Sequence, residues 1–383
     1  MASAIIFYNV YECGSKDSET ASKDVDTSKA GANVIIADGT ENNINGSYVA
    51  KIYKSVTLSE EGTEATDSKK LHKYDGAFYS KMSMNVSGGE KGDGVLNITA
   101  ENEGLDSELH LTINGGNINI VSGNDGINTN EDGVSVTTVN AGNLNILVSG
   151  ETGEGDGIDS NGWLVLNGGN ITSAACSSSG DAGIDSDNGI YINGGTIAAS
   201  GNMLDRISGS EQTFAVFSFV SREKGGNTYT VRDESGKTVF SCTPKNDFSY
   251  LIISFPELKA ADHTLWRGDT QLAGSEGSSQ GRPGMGGGRG DGEAAPSDTE
   301  MPTGEKPTGD MPQGERPEKP ERQDGEEPMS RPDFADGQNP PDRSKDNSSV
   351  NAEISSTFTI QDGENYFANI APAESASTAA TEP

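Results

Sequence analysis

Long hydrophobic runs are missing from this chain of 383 residues, so the sequence offers no membrane-spanning helix. No apolar period of useful length near 3.6 residues occurs either, which argues against a helical domain. Cysteine is scarce. Cys13, Cys176 and Cys242 stand far apart, in neither a disulfide framework nor a metal-ligand spacing, and read as unpaired thiols. Aromatic residues make up 6% of the chain. Positive charge is short as well: 27 Lys and Arg stand against 59 Asp and Glu, a formal net charge of −32. That balance excludes nucleic acid and anionic membrane as direct partners. It favours hard divalent cations as intermediaries instead. The shortage is absolute between Lys91 and Arg206, where no Lys or Arg occurs and His110 is the one histidine.

What fills that span is a four-fold echo between about residue 100 and residue 205. The units read EGLDSELHLTINGGNINI, DGINTNEDGVSVTTVNAGNLNI, DGIDSNGWLVLNGGNIT and AGIDSDNGIYINGGTIAA. Each has a Gly-Ile/Leu-Asp/Asn step, a strand, an Asn-Gly-Gly-type turn and a second short strand. The turn asparagines are Asn114, Asn140, Asn167 and Asn193. A period of about 26 residues in strand-rich, glycine-rich sequence predicts stacked coils, as in a right-handed parallel β-helix. Aligned on the turns, Ile113, Val139, Leu166 and Ile192 form one inward column, and Ile118, Leu144, Ile171 and Ile197 another. Thr112, Thr138, Val165 and Tyr191 then point outward, by strand alternation. The turn asparagines are expected to tolerate a left-handed backbone and to stack their amides.

The expected plan is all-β. Residues 1–30 form a disordered lead. The parallel β-helix covers 31–208, with an incomplete first coil as one reading. A small antiparallel β module covers 209–270 plus 351–371, with Trp266 and the phenylalanines as its core. Residues 271–350, rich in Gly, Pro and charge, cannot bury enough surface to fold and form a disordered insertion; 372–383 form a tail. A loop of that length costs little more to close than a short one. The start, MASAIIFYNVYEC, lacks a basic region and is a poor signal peptide. Cys13-Gly-Ser-Lys is similar to the tether that follows a lipidated cysteine, although Val10-Tyr11-Glu12 makes no convincing lipobox.

Acidic columns carry the functional signal. Asp106, Asn128, Asp159 and Asp185 follow the Gly-Ile/Leu pairs. Glu103, Asp125 and Asp156 precede them, with Asp181 offset by one and Asp187 further on. Carboxylates one coil apart repel, and a calcium ion bound to oxygens at about 2.3–2.6 Å fits between them. The plainer expectation is that such acids cap turns through Asx-type hydrogen bonds. Trp163 stands in the outward column of His110, and Tyr191 one residue along on the next coil; an aromatic there can stack on a sugar ring.

The DGI-x-S/T steps, the Asp38-Gly39-Thr40-Glu41-Asn42 element, the β module with its insertion, and the closing F-x-I-x-D-G-E-N-Y-F-x-N-I together resemble the clostridial-type carbohydrate-binding β-helix family. The resemblance covers roughly residues 33–270 and 355–370. It implies a pectate-lyase-like shape, a bacterial, exported or cell-surface protein, bound Ca2+, and binding rather than cleavage of acidic polysaccharide such as polygalacturonate. Its acidic positions fall on Asp125, Asp156, Asp159, Asp181 and Asp185. Such members usually carry more β structure before the Asp-Gly-Thr-Glu-Asn element and a clear export signal. No catalytic residue is expected, because lyases on this fold use Arg or Lys as base and the repeats have neither. The alternatives are a calcium-stiffened surface or coat protein, or an enzyme using Asp156 and Asp159, or Asp159 and Asp185, as paired carboxylates.

Overall fold

The computed structural model describes residues 5–7, 31–46, 52–59, 65–72, 76–278 and 353–373. The chain divides into two units, Met1–Glu293 with Glu353–Pro383, and Ala294–Ala352. The second unit lies outside the described residues, as do most of the expected lead, the insertion beyond 278 and the end of the tail. Every named element is a β-strand.

The repeats build three parallel sheets. The first contains Ile5–Phe7, Gly76–Ser80, Glu103–Ser107, Ile127–Thr129 and Ile158–Ser160. The second runs from Gly31–Ile36 through His110–Ile113, Val136–Val139, Trp163–Leu166 and Gly189–Ile192 to Ile207–Ser210. The third runs from Glu41–Gly46 through Asn117–Ser122, Asn143–Val148 and Asn170–Ala174 to Thr196–Gly201. The chain visits the sheets in that order in the first three units, and the fourth adds strands to the second and third sheets. The first three units therefore have three strands, not two: the Gly-Leu-Asp, Gly-Ile-Asn or Gly-Ile-Asp step is itself a strand, whereas in the fourth unit the step at Gly183, Ile184 and Asp185 is not. This strand escapes pattern reading because it is three to five residues long and buried on nearly every position, with no alternation.

The apolar columns form as expected. Ile113 pairs with Val139, Val139 with Leu166 and Leu166 with Ile192; Ile118, Leu144, Ile171 and Ile197 follow suit. All are buried in one continuous core. The asparagine column stacks its amides. Asn140 donates to Asn114 Oδ1 at 2.8 Å, Asn167 to Asn140 at 2.9 Å and Asn193 to Asn167 at 2.9 Å. Two further ladders, Asn117–Asn143–Asn170 and Asn43–Asn97–Asn119–Asn145, run along the third sheet. The left-handed backbone, however, belongs to the glycines two residues on and not to the asparagines. Gly116, Gly142, Gly169 and Gly195 have φ of 99°, 104°, 87° and 99°, and no turn asparagine has positive φ. This explains why Ala141 is tolerated inside a Gly-Gly column: its position needs no special φ.

Several expectations need correction. Ile5–Phe7, placed in the disordered lead, pairs in parallel with Phe78–Ser80 and extends the first sheet. Residues 271–276, placed in the insertion, belong to strand Thr270–Glu276. Their alternation continues that of the preceding strand, which the Gly-rich sequence downstream obscures. The small module is mixed rather than antiparallel: Phe214–Glu223 pairs antiparallel with Phe248–Ser254 but parallel with Glu364–Pro372. A chain returning after so long a connection is free of hairpin geometry, and parallel pairing becomes accessible. Nor is the module a separate sheet, since Phe248–Ser254 also pairs antiparallel with Thr196–Gly201 and continues the third sheet. Its core gathers Phe217, Phe219, Tyr229, Phe248, Phe255, Phe358 and Phe367. Trp266, expected among them, is half-buried and outside that core.

Candidate cation and sugar site

Strand register aligns the acidic columns. Asn128 pairs with Asp106 on one side and Asp159 on the other. Asp185 N donates to Ile158 O at 2.7 Å, which carries the column one coil further. The first sheet draws these acids inward: Glu103, Asp106 and Asp125 are buried, as is Asn128. Asp156, Asp159 and Asp185 are half-buried, and each offers an oxygen within 4.8 Å of the others. Oxygens sharing a calcium at about 2.3–2.6 Å lie at most about 5 Å apart, so this triad meets the distance requirement for a hard cation. Asn128, 7% exposed, donates to Glu103 Oε1 and Asn130 Oδ1, each at 3.2 Å. Its Oδ1 is buried without a hydrogen-bond partner among the described residues. A carbonyl oxygen in that state is a further hard donor.

The other expected acids hold protein atoms. Asp125 Oδ1 accepts from Asp156 N at 2.7 Å, and Asp181 Oδ2 accepts from Gly155 N at 2.6 Å and from the Ser179 hydroxyl. Asp156 combines both duties, since its Oδ1 accepts from Ala182 N at 2.5 Å. Asp106 Oδ1 accepts from Asn130 at 2.6 Å. The backbone N–H groups that Asp125, Asp156 and Asp181 hold stand 26 or 31 residues away on the neighbouring coil. The column before the Ile/Leu therefore ties coils together instead of capping its own turns by Asx-type bonds, and the candidate metal triad draws on both columns. Asp187 is exposed and stands outside the triad.

Charge accumulates here without relief. Burial, and then repulsion from Asp187, Glu103 and Asp205, pushes the Asp159 carboxyl up to about 7. Burial, with Asp205, Asp159, Asp187 and Asp181, pushes Asp185 up to about 8. Asp125 and Asp156 are raised well above the carboxylate range, by burial first and by their acidic neighbours next. Asp205 escaped the sequence reading. The signal was present, because Leu204-Asp205 repeats the Leu-Asp step of the coils one turn beyond the fourth unit. Asp205 Oδ2 accepts from Ser186 N at 3.0 Å.

Among the candidate sugar contacts, His110 and Trp163 share a column through Val136. Tyr191 pairs with Val165, so it stands two residues along from Trp163 and not one. Gly189, opposite Trp163, opens the strand one residue earlier than the repeats suggest. His110 Nδ1 accepts from Val136 N at 3.1 Å, and burial lowers its pKa, so it is a neutral backbone acceptor. Trp163 is half-buried four residues after Asp159, across the corner between the first and second sheets.

A family model described as a carbohydrate-binding domain-containing protein matches residues 17–215, more than half of the chain, and takes in every residue of the acidic columns. No curated protein and no solved structure matches. No helix among the described residues is long and apolar enough to cross a membrane. The chain belongs to the family of carbohydrate-binding domain-containing proteins.

Proposed function

We propose that the three sheets wrap into a right-handed parallel β-helix whose acidic columns hold Ca2+, and that this calcium bridges protein carboxylates to the uronate groups of a pectin-like polysaccharide. The observation that carries the reading is the Asp156–Asp159–Asp185 triad in a stretch of coils without Lys or Arg. A polyanion meets a polyanion there, and a divalent cation neutralises both. Asn128 supplies a neutral oxygen beside the triad, and Trp163 a ring face for a sugar at the adjoining corner. The role is non-catalytic binding, outside the cell or at its surface. The coils between Lys91 and Arg206 contain no Lys or Arg, the bases that lyases of this shape are expected to use.

Titration calorimetry with polygalacturonate tests this, in calcium and then in excess chelator. Calcium-dependent heat without unsaturated product supports binding. Chelator-resistant heat removes the bridging mechanism, and product formation makes the protein an enzyme. A stiffening role is the second reading, favoured by the carboxylates of Asp125, Asp156 and Asp181, which already tie neighbouring coils through backbone N–H groups. It predicts a calcium-dependent rise in melting temperature with no sugar heat.

A further inference from the structure

The small module carries an aromatic residue that its core does not use. Phe217, Phe219, Phe248, Phe358 and Phe367 meet ring to ring inside it. Trp266 stays half-buried on strand Ala261–Arg267, beyond the end of the family match. Its indole N–H donates to Thr264 Oγ1 at 2.9 Å, and the Arg232 guanidinium lies 4.1 Å from its ring centre. The pair borders an open cleft of about 430 Å3, which Glu234, Asp262 and Gln271 also line. That volume falls within the usual range for small-ligand sites.

Each part of this cleft suits a polyhydroxyl ring. Arg232 covers one face of the indole, and the rest of the half-buried ring gives the cleft an apolar surface for a sugar. Carboxylates only accept hydrogen bonds and guanidinium only donates them, so the rim can satisfy hydroxyl groups in both senses. Asp233 is taken up by its own turn, where its Oδ1 accepts from Ser235 N, Ser235 Oγ and Lys237 N. Glu234 and Asp262 are exposed at the rim. With Asp233, three acidic groups line the cleft and disfavour a uronate, because a single Arg232 does not offset them and a further carboxylate. We propose that this cleft is a second, metal-independent sugar site that takes a neutral pyranose unit of a glycan. It owes nothing to the calcium site, and either can fail alone.

The test uses the full chain in excess chelator, titrated with cellohexaose, xylohexaose, mannohexaose and a galacturonic acid hexamer. Intrinsic fluorescence is followed in a Trp163→Phe background, so that Trp266 is the reporter. The expected result is saturable binding of at least one neutral hexamer. Trp266→Ala, followed by calorimetry, should weaken it by about tenfold or more, as loss of an aromatic anchor does. Asp262→Asn, a smaller change that keeps the shape, should weaken it as well, and Asp159→Asn should leave it unchanged. The proposal is overturned if no neutral hexamer binds, if only the galacturonic acid hexamer binds, or if Trp266→Ala with an unchanged melting temperature binds as tightly as the parent.

Discussion

Asp159→Asn should change sign with calcium. In the metal-free protein above pH 8, Asp159 and Asp185 are ionised beside Asp156. Two unit charges 4.8 Å apart repel by about 3.5 kcal/mol at an effective dielectric near 20. Asp159 is half-buried, so solvent screens part of this, and removing its charge should stabilise the metal-free fold by about 1–2 kcal/mol. At about 2–4 °C per kcal/mol for a domain of this size, melting rises by roughly 2–8 °C in chelator. Asparagine keeps an acceptor oxygen for the backbone, so the local fold survives. With calcium the order reverses. A cation at 100 times its dissociation constant stabilises the parent by about 2.7 kcal/mol, and the roughly hundredfold weaker binding expected on loss of one of three carboxylates forfeits about 2.3 kcal/mol of that, more than the variant gains without metal. Paired thermal melts of parent and variant, in chelator and in calcium, read both effects. Destabilisation of the variant in chelator would refute the reasoning, since it would mean that the Asp159 charge already has a partner within the protein.

The pH dependence follows from the same groups. Their native pKa values, about 7 for Asp159 and about 8 for Asp185, lie above the unfolded value of 3.8, so the native state holds more protons across that window. Stability is then full below pH 3.8 for these groups and is lost as pH rises through 7 to 8, so metal-free protein should melt higher at pH 5 than at pH 8.5. Saturating calcium should flatten that slope, and a metal-free protein that gains stability with rising pH would contradict the account. Asn140→Ala deletes one donated and one accepted amide bond, of 2.8 and 2.9 Å respectively, from an exposed ladder. It should cost about 1–2 kcal/mol in urea unfolding, and no measurable loss would mean that water replaces the ladder at no cost. Trp163→Ala should weaken polygalacturonate binding in calcium by at least about fivefold while calcium affinity holds; an equal loss of both would make Trp163 structural.

The repeat told much of this from sequence, because its physics is local and periodic. Aliphatic residues at fixed offsets from Asn114, Asn140, Asn167 and Asn193 have to stack if coils repeat, and the pairing of Ile113, Val139, Leu166 and Ile192 follows. The acid steps were legible for the same reason, together with the absence of Lys and Arg around them. The division of labour among the acids was not. Asp125 and Asp156 hold the same place in successive units, yet one carboxylate only caps the other's N–H while the second joins the triad. Trp266 failed for a related reason: an alternating strand indicates which residues share a face, but not which face the rest of the module covers.

The sequence by itself determined the period, the columns and the concentration of negative charge, because each depends only on neighbours at fixed spacing. Tertiary structure decided what the columns do. It buried Glu103 and Asp106, left the oxygens of Asp156, Asp159 and Asp185 within reach of one ion, and brought in Asp205 from the following coil. It also joined Glu364–Pro372 to Phe214–Glu223 across the long insertion. Those outcomes depend on distances between residues remote in the chain, and on burial, which together with mutual repulsion lifts these carboxyls above the ordinary carboxylate range.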